Sequence, residues 1–117
     1  MHEASIVRSL YEAAEAARTQ HGLDSVELVK IQVGTLQHVV DEVMHTYFSF
    51  EAEQWPAFAG ARLVIERLPA RLLCLDCGHE TELDDPVFAC DACDSRNTRL
   101  LSGMELDLVS MNGTAPD

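Results

Sequence analysis

The chain reads as an α+β protein in which two helices cover a three-stranded antiparallel sheet and a zinc-ribbon-like domain is inserted before the last strand. Three observations point there. Two segments repeat apolar residues at helical spacing, three segments are strand-like, and the four cysteines all fall between the last two of these in two CxxC pairs, Cys74-Leu75-Asp76-Cys77 and Cys90-Asp91-Ala92-Cys93.

In the first helical segment Ile6, Leu10, Ala13, Ala14 and Ala17 recur on one stripe, with Arg8, Glu12, Glu15 and Arg18 off it. The pattern predicts a helix from about Ala4 to Gln20, stopped at Gly22. Val26 to Val33 is β-branched and alternating, with Val29, Ile31 and Val33 opposite Lys30 and Gln32, and predicts a strand ended by Gly34. A second helix is expected where Val40, Val43, Met44, Tyr47 and Phe48 form a stripe that packs on the sheet, with Asp41 and Glu42 near its positive end. Pro56 and Gly60 punctuate the connection to a strand at about Arg62 to Leu68, closed by Pro69. Met104, Leu106 and Leu108 alternate with Glu105 and Asp107, as in a half-buried last strand, and Asn112 to Asp117 reads as a frayed tail. The domains expected are therefore 1-70 with 101-117, and 71-100.

Two CxxC turns that face each other supply the four sulfurs of a tetrahedral Zn²⁺ site, so Cys74, Cys77, Cys90 and Cys93 are the expected zinc ligands. Gly78 directly after Cys77 suits a turn that closes on a metal, because glycine accepts positive φ. Four thiolates leave no position for water or substrate, which makes the site structural. The segment around it has few large apolar side chains, so metal binding is expected to supply the stability that burial cannot. Two disulfides, a redox-active CxxC and a rubredoxin-like iron site use the same residues. The first is disfavoured by the reducing cytoplasm expected for a chain with no signal peptide, and the second by the matched pairs.

With 117 residues and a formal charge of −12, the chain has one ordinary core and a strongly acidic surface. Such a field repels phosphate backbones and no basic stripe offsets it, which argues against nucleic acid. No apolar run approaches the ~20 residues of a membrane span, so a soluble protein is expected, with no membrane insertion. No GxxxxGK loop and no nucleophile with its base is present, and no catalytic residue is expected.

The start, Met1-His2-Glu3, offers an α-amine, backbone amides and an imidazole, a nitrogen set suited to square-planar Ni²⁺ or Cu²⁺. Taken alone, a histidine at position two is more often a plain surface residue. His38, Glu42 and His45 fall at i, i+4 and i+7 and are expected on one solvated helix face. His21 is expected at a helix end, and His79, beside the first knuckle, is a group that could couple the zinc domain to acidity.

Met1-His2-Glu3, the Val33-Gly34-Thr35-Leu36 turn and the inserted double CxxC together resemble the HypA/HybF family of hydrogenase nickel-incorporation proteins. The resemblance spans nearly the whole chain. It implies a nickel metallochaperone that delivers Ni²⁺ to the large subunit of [NiFe]-hydrogenase in concert with a HypB-type GTPase. It also implies nickel on His2, with Met1 and Glu3 as backbone contributors, and zinc on the four cysteines. Asp94 departs from the glycine often found after a second knuckle, and a turn that is either strained or differently hydrogen-bonded is expected there. A zinc-ribbon adaptor that only bridges proteins, and an iron carrier, are the competing readings.

Overall fold

The computed structural model describes residues 3–83 and 87–115. It contains α1 (Glu3–His21), β1 (Ser25–Gly34), α2 (Asp41–Glu51), β2 (Arg62–Leu68), β3 (Ala70–Cys74), β4 (Glu80–Leu83), β5 (Thr98–Ser102) and β6 (Leu106–Thr114). Three short 3-10 turns occur as well, Thr35–Gln37 before α2, and Ala52–Gln54 and Pro56–Phe58 after it. The strands make two three-stranded sheets, ordered β2-β1-β6 and β4-β3-β5. Two helices with antiparallel sheets are the α+β class expected, with β2-β1-β6 as the predicted three-stranded sheet and β4-β3-β5 as a second sheet that the sequence did not predict.

The chain divides into two compact units, Met1–Ile31 with Val39–Glu66 and Asp107–Asp117, and Gln32–His38 with Arg67–Leu106. The first is a conventional apolar core. Val7, Tyr11 and Ala14 of α1, Val26, Val29 and Ile31 of β1, Met44 and Phe48 of α2, then Phe58 and Leu63, are all buried. Tyr11 stands at its centre: its ring stacks on Phe48 at 4.7 Å and on Trp55 at 5.8 Å, and meets Phe58 edge-on at 5.3 Å. The phenol donates a 2.6 Å hydrogen bond to the Phe48 carbonyl, so the one polar atom of this ring is satisfied. Burial pushes the Tyr11 phenol well above its ordinary value, with the Glu51 carboxylate adding to the shift.

Gly22, at φ 68°, ends α1 in a two-bond reversal, with Gly22 N–H donating to Thr19 and Leu23 N–H to Arg18. Arg18 reinforces the turn by donating to the Leu23 carbonyl at 2.6 Å while its guanidinium pairs with Glu15. On β1 the expected alternation holds at Val29, Ile31 and Val33.

Several expectations are corrected. Ala14 of α1 is buried as expected, but the other buried positions are Val7 and Tyr11 rather than Ile6 and Leu10, which are half-buried, because the large Tyr11 ring takes the core position, and Ala13 faces solvent. The stripe of α2 splits: Met44 and Phe48 are buried, but Val40 and Tyr47 are exposed. Residues 112–114 are not a frayed tail. Asp24 N–H donates to the Thr114 carbonyl at 2.7 Å, the Ser25 and Thr114 hydroxyls lie 2.6 Å apart, and Gly113 leaves no room for a Cβ against Ser25. Gly34 N–H donates to the Glu105 carbonyl at the opposite end, so β6 runs antiparallel to β1. Leu106, the first residue of β6, is exposed, while Leu108 of the same strand is half-buried as expected.

In the second unit β3 pairs antiparallel with β4, Ala70 opposite Leu83, and with β5, Cys74 opposite Thr98. Its apolar cluster is small, Ala70, Leu72 and Leu83, with Leu36 of the preceding 3-10 turn packed against it. Leu36 N–H donates to the Gly103 carbonyl at 2.8 Å and the Gln37 side chain to that of Met104. The segment Gln32–His38 thereby belongs to this unit.

Candidate metal centre

β3 ends at Cys74, and the two CxxC turns are built alike. Gly78 N–H donates to the Cys74 carbonyl and Asp94 N–H to the Cys90 carbonyl, both at 2.9 Å. Each turn closes through a residue of positive φ, Gly78 at 79° and Asp94 at 62°. Of the two turns expected at Asp94, the strained one is found, where a side chain occupies the left-handed region that glycine takes without cost.

The two turns bring their sulfurs together. Cys74 Sγ lies 3.6 Å from Cys93 Sγ, Cys77 Sγ lies 3.6 Å from Cys90 Sγ, and all four are within 4.8 Å of one another. A tetrahedral Zn²⁺ with bonds of about 2.3 Å requires sulfur separations of roughly 3.8 Å. The four thiolates therefore fit a closed, all-sulfur site for a structural metal such as zinc. Cys74 and Cys90 are buried, while Cys77 and Cys93 are exposed. Backbone amides aim at the inner sulfurs, Cys77 N–H at Cys74 Sγ and Ala92 N–H at Cys90 Sγ, each at 3.4 Å.

Electrostatics single out the same donor set. The Cys77 amide holds the Cys74 thiol down, to about 6. The Ser95 amide acts in the same direction on Cys93, but the Cys74 and Cys77 thiols outweigh it and push Cys93 up to about 12. At Cys77 the His79 amide is likewise outweighed by the Cys74 and Cys90 thiols, and the thiol is raised. Four converging sulfurs resist carrying four negative charges, a resistance that a divalent cation removes.

A polar clamp joins the two turns, and the sequence reading missed it. Asp76, in the first CxxC spacer, accepts from the Ser95 hydroxyl and from Asn97 Nδ2 at 3.1 Å, beyond the second pair. These bonds lower its carboxyl below the ordinary range, Ser95 contributing most. Asp91, in the second spacer, accepts from the Thr81 hydroxyl at 3.1 Å, donates its own N–H to that hydroxyl, and pairs with His79 Nε2 at 2.7 Å. Thr81 is the buried polar residue of this region. An aspartate in each spacer was the signal available in the sequence, but its partners lie 10 to 21 residues away and only the fold brings them close. His79 is therefore a side-chain contact of Asp91 at the knuckle surface, its Nε2 facing the carboxylate.

The candidate nickel residues are placed unequally. Met1 and His2 lie outside the described residues. Glu3 begins α1, and its carboxylate accepts the Val40 N–H at 3.3 Å, which ties the start of α1 to the residue before α2. Its own helix amide and that of Val40 hold the carboxyl below its ordinary value. His38, Glu42 and His45 do not share a helix face: His38 precedes α2 in the left-handed conformation at φ 55°, and only Glu42 and His45 are helical. Exposed His21 is the last residue of α1, as expected. No helix of the described chain is long and apolar enough to cross a membrane.

Fold and site together define an α+β metal-site protein with a four-cysteine knuckle pair held between short strands. The chain belongs to the HypA family, whose model, described as hydrogenase/urease nickel incorporation, metallochaperone, matches residues 1–113. It is 36% identical over 112 residues to the hydrogenase maturation factor HypA of Chloroflexus aurantiacus, covering 95% of this chain and 97% of that protein. It is 39% identical over 113 residues to the factor of the same name from Desulfosudis oleivorans, covering 95% and 96%. Among solved structures it resembles the solution structure of the nickel metallochaperone HypA from Helicobacter pylori, with a TM-score of 0.74, 26% identity, and coverage of 99% and 100%.

Proposed function

We propose that this chain is a nickel metallochaperone of hydrogenase maturation that binds Ni(II) at its N-terminus and hands it to the large subunit of [NiFe]-hydrogenase, working with a HypB-type GTPase in the cytoplasm. The observation that carries the reading is the family match across residues 1–113, which includes Met1-His2-Glu3 as well as all four cysteines. His2 supplies the imidazole, and Met1 and Glu3 supply backbone nitrogen, in the tetragonal geometry that Ni²⁺ favours. Residues 1–70 and 101–117 form the nickel-binding domain, and residues 71–100 the zinc-binding domain.

The two metals have opposite tasks. Zinc on Cys74, Cys77, Cys90 and Cys93 stays, because four thiolates close its coordination and its binding stabilises the fold around it. Nickel on a chain end can be transferred donor by donor, as a partner replaces each nitrogen with a ligand of its own. No residue acts as a catalyst, and nucleotide hydrolysis belongs to the partner GTPase.

Calorimetric titration of the zinc-loaded chain with Ni²⁺ tests the reading. One Ni²⁺ should bind to the chain beginning at Met1, and both His2→Ala and a one-residue extension before Met1 should abolish binding. Equal binding by all three proteins moves the site elsewhere. Binding by none leaves a zinc-ribbon adaptor, and a red, iron-loaded protein points to an electron carrier.

A further inference from the structure

The first compact unit keeps one apolar stripe for its core and turns a second outward. Val43, Tyr47 and Phe50 follow the i, i+4, i+7 spacing of one helix face, about a quarter-turn from the buried Met44 and Phe48, and Val40 immediately precedes the helix in an extended conformation. Phe50 is 72% exposed, Val40 54% and Tyr47 41%, with Val43 half-buried. Phe50 is more exposed than any other large hydrophobic residue among those described. Folding alone gives no reason to place an aromatic side chain there.

Tyr47 and Phe50 border a groove of about 460 Å³ whose opposite side is the first half of α1. The α1 residues there include Ala4, Ser5 and Ser9, small enough for another backbone to approach closely. Glu12 stands at its border, and Arg8 reaches across to Glu51 at 3.6 Å. An apolar seam beside small residues is the shape that receives an amphipathic helix.

Charge selects the kind of helix. The groove itself is lined by two carboxylates, Glu12 and Glu51, against Arg8, and α1, α2 and the turn Ala52–Gln54 together carry seven carboxylates against the two arginines Arg8 and Arg18. A second copy of this chain would bring the same excess of carboxylates on its two helices, and its net charge of −12, against itself. We propose that the groove between α1 and α2 is a docking site for a basic amphipathic helix of a partner protein, with Tyr47 and Phe50 as its apolar anchors and the surrounding carboxylates selecting Lys and Arg. The site uses none of the proposed nickel nitrogens or zinc sulfurs, so it stands or falls independently of metal transfer.

The probe is a synthetic helical peptide of about three heptads with leucine at the seam positions and lysine or arginine elsewhere. Two controls accompany it, the same composition scrambled so that the leucines share no face, and the same seam with glutamate replacing the basic residues. Added to the isotope-labelled, metal-loaded chain, the basic seam peptide should shift amide resonances of Ala4 to Glu12 and of Val40 to Glu51. Phe50→Ser should weaken binding at least about tenfold and Phe50→Tyr should restore most of it, as for an aromatic anchor. Both controls should bind at least about tenfold more weakly than the probe. The proposal is overturned if Phe50→Ser binds within about twofold of wild type, or if the scrambled peptide binds equally, which would make the effect bulk charge. It is also overturned if the chain alone forms a dimer that Phe50→Ser dissociates, since the seam would then be a self-interface.

Discussion

The two compact units solve the same problem by different means. Around Tyr11, aromatic rings stack and cross at 4.7 to 5.8 Å, and burial of apolar surface holds α1, α2 and the turn at Phe58 together. Around the cysteines the apolar cluster is only Ala70, Leu72 and Leu83 with Leu36, and the knuckles rely on four sulfurs and the Asp76 and Asp91 clamps. Stability in the first unit is spread over many non-directional contacts, whereas in the second it is concentrated at one metal-sized point. A single lesion should therefore be graded in one unit and all-or-none in the other.

Removal of the metal gives the largest expected effect. A strong chelator, or Cys90→Ser, should abolish binding of one metal ion per chain by elemental analysis and collapse amide protection from β3 to β5. The apparent free energy lost is on the order of 10 kcal/mol. The unfolding transition of the Tyr11 core should persist, and loss of both units together would erase the contrast.

Tyr11→Ala should cost the first unit about 3–5 kcal/mol by leaving a cavity among Phe48, Trp55 and Phe58. Denaturant midpoints measure this, and the metal content should not change. Tyr11→Phe keeps the ring and removes only the bond to the Phe48 carbonyl, for about 1 kcal/mol. A loss from Tyr11→Phe as large as that from Tyr11→Ala would show that the polar bond, not packing, governs this core.

A smaller effect of opposite sign is expected at the second knuckle. Asp94→Gly relieves a side chain held at φ 62° and should slow metal release, with a gain of about 1 kcal/mol. The matching change, Gly78→Ala at φ 79°, should speed release by a similar amount. Metal transfer to a colorimetric chelator, followed over time, compares the two turns directly.

The subtlest test is titration of Glu3. Its folded carboxyl lies below 4.5, so the unfolded chain binds more protons as acidity rises. The stabilisation from its bond to Val40 should be fully present above that value and be lost as pH falls through the lowered folded one. Exchange of the Val40 amide reports it, and Glu3→Gln should make that exchange insensitive to pH in this window after correction for intrinsic rates.

Much of this was legible in one dimension because it depends on local spacing. The CxxC pairs, the strand around Val29, Ile31 and Val33, the glycine stop at Gly22 and the bounds of β2 follow from chemistry within a few residues. The helix faces were legible only in part. Periodicity located both helices but not which of two adjacent apolar stripes is buried, because Ile6 and Val7 are nearly interchangeable by hydropathy and Tyr47 and Phe48 are neighbouring aromatic rings of similar size. The strand character of residues 112–114 was not legible at all, since it comes from Asp24 and Ser25, almost ninety residues earlier.

By itself, then, the sequence determined the four cysteines, their spacing in two turns and the two helices, for each is a property of neighbouring residues. Only the tertiary structure decided that Leu36 packs in the cysteine-bearing unit, that Asp76 and Asp91 clamp opposite knuckles, and that Tyr47 and Phe50 face outward. Those outcomes depend on which distant surfaces bury one another, and that competition is settled when the whole chain condenses.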